Sequence, residues 1–114
     1  MTEQQSDSLA ATLRPYRENP GILAALLISR DGFAVAADAD DTVDVTAVAA
    51  HLGGVLDIGA RLSRELGQQQ TRHVFIEFDE MTVLISPFGD ELLLALVGNA
   101  ETLTCDYRLR RAPA

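Results

Sequence analysis

Two histidines, one cysteine and a cluster of aspartates are the residues here whose types could do chemistry. His51 and His73 are imidazoles of the kind that ligate zinc, but neither has a second histidine four residues away or a cysteine nearby. Cys105 stands alone, which excludes an internal disulfide and a thiolate cage, and no general base accompanies it. Asp38, Asp40, Asp41 and Asp44 have the oxygen density of a calcium loop. They lack the glycine for its sharp turn and the closing bidentate glutamate, so helix capping accounts for them better. No GxSxG, GxxxxGK[ST] or GxGxxG motif occurs, and Gly53-Gly54 and Gly89 stand in the wrong contexts to cradle phosphate. The expectation is a non-enzymatic protein that needs no cofactor or metal.

Composition narrows the class of partner. A chain of 114 residues with 47% hydrophobic and 23% charged side chains has the balance of one globular domain. The reading places that domain over residues 8–112, after a flexible N-terminus at 1–7. A formal charge of −8 repels phosphate backbones and anionic lipid, so nucleic acid and membrane insertion are not expected. The first eight residues are polar and acidic, unlike a signal peptide, and no apolar stretch is read as long enough to span a bilayer. With a single cysteine, this points to the cytoplasm. Every basic residue is arginine, as in GC-rich bacterial genomes.

The elements that would position these residues follow from periodicity. Residues 6–18 carry Leu9, Leu13 and Tyr16 on one narrow stripe before Asn19, Pro20 and Gly21 end the helix. Ile22 to Ile28 is an aliphatic run suited to a strand buried on both faces, and Asp31-Gly32 signals a type I′ hairpin into Phe33–Ala37. A long helix over about 44–66 carries Val45, Val48, Ala49, Leu52, Val55, Leu56, Gly59, Leu62 and Leu66 at spacings of three and four. Asp41, Thr42 or Asp44 can cap its start and Gly67 its end. Thr71–Phe78 then alternates, with Val74, Ile76 and Phe78 on one side and His73, Phe75 and Glu77 on the other. Met81–Ser86 and Leu92–Val97 complete a meander through turns at Asp79-Glu80 and Pro87–Asp90. Asn99 can cap a last helix through Leu103 and Tyr107 to about Arg110. The fold class is α+β, with an antiparallel sheet between helical layers.

The long helix has an unusual second face. Ala47, Ala50, Gly54 and Ile58 cluster opposite the core stripe, where a solvated helix carries charge. Small residues at this spacing let another backbone approach closely, and an outward isoleucine favours a partner surface. Phe75 adds apolar character to both faces of a strand at the edge of the sheet.

Several features in this order resemble the Roadblock family of dynein light chains and small-GTPase regulators. They are Gly21-Ile22 opening an aliphatic strand, Ser29-Arg30-Asp31-Gly32-Phe33 at the hairpin, an Ala-rich helix ending at Leu66-Gly67, and Pro87-Phe88-Gly89 before another aliphatic strand. The resemblance covers about residues 8–110. It implies a Roadblock/longin/profilin-like domain with a five-stranded antiparallel sheet in order 2-1-5-4-3, the long helix on one face and the terminal helices on the other.

It further implies a homodimer joined by the third strand and the long helix. The dimer contacts would be Ala47, Ala50, Gly54 and Ile58 from the helix, with Arg72, His73, Val74, Phe75 and Ile76 from the strand. In bacteria such proteins are partners or activators of a small Ras-like GTPase, whose own catalytic site they reshape without an arginine finger. His51, Ile58, Arg61 and Glu65 are the expected partner-binding residues. The alternative from another class is a small-molecule-sensing or signalling adaptor domain with no GTPase partner, which would need an internal polar pocket.

Overall fold

Aliphatic β1 (Ile22–Ser29) is buried along almost its whole length because it runs inside the sheet with a helix on each side. This is seen in a computed structural model that describes residues 3–103, with side chains from Leu9 onward. The other elements are α1 (Glu3–Arg17), β2 (Ala34–Ala39), α2 (Val45–Glu65), β3 (Val74–Glu77), β4 (Met81–Phe88) and β5 (Leu92–Asn99). The strands form one antiparallel sheet in the order β2-β1-β5-β4-β3. This is the order that the family resemblance implies. Helix α1 begins at Glu3, inside the stretch that the sequence reading set outside the domain.

Alternation sorts the strands into two cores. Ala24, Leu26 and Ile28 meet Ala49, Leu52 and Leu56 of α2, with Ile85, Leu93 and Ala95 beside them. Ile22, Ala25 and Leu27 point the other way, toward Leu13, which is fully buried, and Leu103. Leu9 and Tyr16 flank Leu13, so the narrow stripe of α1 is its contact with the sheet. Arg17 fastens the end of α1. One Nη donates to the Ile22 carbonyl at 2.6 Å and Nε donates to Asp38 Oδ1 at 3.1 Å.

Both ends of α2 are chemically marked. Asp44 is the N-cap, its Oδ1 accepting from the Ala47 N–H at 3.1 Å, which singles it out from Asp41 and Thr42. At the other end the Gly67 N–H donates to the Arg64 carbonyl at 3.1 Å and the Gln68 N–H to the Ser63 carbonyl at 2.9 Å. With Gly67 at φ 70°, this closes the last turn as a Schellman motif.

Four expectations need correction. Asp31-Gly32 is not a type I′ turn, because only Gly32 has positive φ. The loop instead closes with the Ser29 N–H donating to the Phe33 carbonyl at 2.8 Å and the Gly32 N–H to the Ser29 carbonyl at 2.9 Å. Strand β3 is four residues long, shorter than Thr71–Phe78. Leu62 and Leu66, assigned to the core stripe, are 56% and 65% exposed, because they face the open side of the last turns of α2 while Ser63 takes the buried position. Helix α2 is also long and apolar enough, by length and composition alone, to cross a membrane. Here its inner stripe covers the sheet, and Asp57, Arg61, Arg64 and Glu65 interrupt its outer side. After β5 the Thr102 N–H donates to Asn99 Oδ1 at 2.7 Å, as a cap would, while the rest of the expected last helix lies outside the described residues.

Candidate functional site

The outward face of α2 is exposed at Ala47, Ala50, His51, Gly54, Ile58, Arg61 and Glu65, as the spacing predicts. His51 Nδ1 lies 2.8 Å from the Ala47 carbonyl. A carbonyl only accepts, so Nδ1 carries the hydrogen and the ring is held along the helix surface. Arg61 pairs with Asp57 one turn back, Nη2 to Oδ2 at 2.9 Å, with both side chains mostly exposed. Such a pair is worth little in water and leaves both groups available to a partner.

Strand β3 stands at the edge of the sheet, paired on one side only, with β4. Val74 and Ile76 face the α2 core, while Phe75 faces the α1 core. Phe75 therefore has an intramolecular role: it seals the rim of the second core, half-buried. Arg72 is exposed just before the strand, and His73 Nδ1 lies 2.7 Å from Ser86 Oγ on β4.

Between the last turns of α2 and β3 runs an open groove of about 420 Å³. Val55, Ile58, Gly59, Leu62 and Leu66 form its helix wall, and Thr71, His73 and Val74 form its strand wall. Ser63 also lines it; the residue is buried, and its Oγ has no hydrogen-bond partner. No Asp, Glu or Arg lines this groove. The groove joins the two surfaces that the sequence singled out separately. Sequence reasoning missed it because the aliphatic spacing of α2 continues without interruption past the point where the sheet stops supporting it.

The opposite flank of α2 is polar. A second cleft of about 290 Å³ lies among Arg30, Ala60, Arg64, Gln69, Thr71 and Asp90, and Arg30 Nε donates to the Asp90 carbonyl at 3.0 Å. This bond ties the tip of the β1–β2 hairpin to that of β4–β5.

The aspartate cluster acts on the backbone. Asp40 Oδ1 accepts from the Thr42 N–H at 2.9 Å and from the Thr42 hydroxyl at 2.8 Å. These two bonds, the backbone one foremost, hold the Asp40 carboxyl below its usual pKa of 3.8. Asp38 is engaged by Arg17 and Asp44 by the helix start. Among the described residues no group of three His, Cys, Asp or Glu side chains could hold a metal ion. Cys105 lies outside them.

Comparison with known proteins agrees with this architecture. No curated protein matches the chain by sequence. Among solved structures, MglB from Myxococcus xanthus superposes with a TM-score of 0.83 at 17% identity, over 96% of this chain and 84% of that one. The gliding protein MglB from Thermus thermophilus gives 0.81 at 21% identity, over 96% of this chain and 84% of that one. A Roadblock/LC7 domain from Streptomyces avermitilis gives 0.72 at 25% identity, over 83% of this chain and 78% of that one. The Roadblock/LC7 domain model itself matches residues 7–98, and the chain belongs to the Roadblock/LC7 domain family.

Proposed function

We propose that this protein is a cytoplasmic, non-enzymatic homodimer that binds a small Ras-like GTPase through its joined α2 helices, as a regulator or scaffold. The observation that carries the reading is a run of small and apolar residues exposed on α2 beside an apolar groove that no Asp, Glu or Arg lines. These residues are Ala47, Ala50, Gly54 and Ile58, and the groove borders β3, the edge strand of the sheet. Ile58 is 65% exposed in the single chain, and apolar side chains presented together in this way mark protein–protein contacts. Edge strands with a free row of backbone donors and acceptors pair readily with a second copy.

The GTPase half of the reading rests on the family resemblance. Bacterial members that engage Ras-like GTPases act as a platform, and here His51, Ile58, Arg61 and Glu65 stand exposed together on the outer side of α2. No catalytic group need come from this chain, so Arg61 serves as a docking residue. Light scattering after size exclusion on the native chain and on Ile58→Asp tests the dimer, and capture of a nucleotide-loaded Ras-like GTPase by each tests the platform. The native chain is expected to run as a dimer and to capture the GTPase, and the variant to lose both while keeping its circular dichroism. An Ile58→Asp variant that still dimerises and captures would remove this assignment.

A further inference from the structure

Phe78 is the exposed aromatic whose surroundings the protomer leaves unfinished. It lies one residue beyond β3, where continuing the alternation of Val74 and Ile76 sets it on the α2 side of the sheet, and it is 59% exposed. Its backbone is fixed, the Phe78 N–H donating to the Met81 carbonyl at 2.7 Å across the β3–β4 turn. The groove beside β3, in turn, is lined by Val55, Ile58, Leu62, Leu66 and Val74 and opens to the surface.

We infer that Phe78 of one copy closes the α2–β3 groove of a second copy, reciprocally across a two-fold axis. This rests on the dimer reading above and adds its register. Two β3 edges that pair antiparallel, with both α2 helices on one side of the joined sheet, set α2-facing residues opposite α2-facing residues. An axis at Ile76 places Phe78 opposite Val74 of the second copy, at the mouth of that copy's groove. An axis at Phe75 would place Phe78 opposite Arg72 and leave both grooves open. Within one chain Phe78 cannot reach Val74, since four residues of strand span about 13 Å.

Charge supports a second copy as the occupant. Two chains of −8 repel, and they meet at least cost where the acidic end of one strand lies against the basic end of the other. No carboxylate lines the groove, and an axis at Ile76 brings the acidic run that carries Phe78, with Asp79 and Glu80, to the level of His73 and Arg72 of the second copy.

The test is a dilution series by analytical ultracentrifugation on the native chain, Phe78→Ala, Leu66→Ala and the double variant. Both residues are exposed in the protomer, so the variants should fold, which circular dichroism checks. Phe78→Ala is expected to raise the dimer dissociation constant about tenfold or more, and the double variant to weaken it by less than the product of the single effects. A Phe78→Ala dimer within about twofold of a dimeric native chain, or effects that simply multiply, would overturn the register while the dimer stands. A native chain that stays monomeric at every concentration removes the dimer and the register together.

Discussion

Gly53 on α2 lies against Gly32 at the β1–β2 tip so closely that a Cβ at position 53 would stand 2.9 Å from the Gly32 Cα. Helix and hairpin meet backbone to backbone, and Gly32, at φ 88°, has no side chain to yield. Next to it, Gly54 has open space where a Cβ would be. The pair gives opposite expectations. Gly54→Ala should stabilise the protomer by about 0.5–1 kcal/mol through helix propensity. Gly53→Ala should lose more than that gain, because α2 must lift off the hairpin. Urea unfolding at a protein concentration that keeps the chain monomeric separates the two.

The start of α2 depends on one carboxylate. Asp44→Ala leaves the Ala47 N–H without its acceptor and should cost about 1 kcal/mol, whereas Asp44→Ser or Asp44→Asn should restore most of it. Chemical denaturation of the three variants reads this directly.

Asp40 makes a small acid-sensitive contribution. Its folded pKa lies below the value of 3.8 expected for an unfolded carboxyl. The contribution is therefore present above that value and is lost as pH falls through the folded pKa. Thermal melts taken from neutral pH downward should show a shallower acid loss for Asp40→Asn than for the native chain, with the difference confined to the acid end.

Ser63 buries a hydroxyl that forms no hydrogen bond within the chain. Ser63→Ala removes that desolvation cost and adds helix propensity, so protomer stability should hold or rise by up to about 1 kcal/mol. A clear loss in urea unfolding would mean that the hydroxyl has a partner in solution.

Much of the architecture was legible because the signals are local. A continuous aliphatic run identifies β1, and Asp44 and Gly67 mark the ends of α2 with their own side chain or backbone freedom. The outward face at Ala47, Ala50, Gly54 and Ile58 was legible for the same reason: helical spacing alone decides which side a residue is on. What failed needed tertiary information. Leu62 and Leu66 keep the core spacing, yet the fold leaves them exposed beside the groove that they line. Gly53 and Gly54 are the same residue type, distinguished solely by what the hairpin brings near. Phe75 was placed on the edge strand by its spacing, and only the fold adds that it packs, half-buried, against a second core on the far side.

The tie from Arg30 to the Asp90 carbonyl, together with the Gly53–Gly32 contact, has a mechanical corollary. One flank of α2 is braced at Gly53 against the β1–β2 tip, which is itself fastened to the β4–β5 tip, while the other borders an open groove. A partner that pushes on the helix therefore meets a stiff backstop on one side and a compliant one on the other. Adjustment to partners of different shape would be taken up by the Leu66–His73 connection, with the braced end held in place as the reference frame.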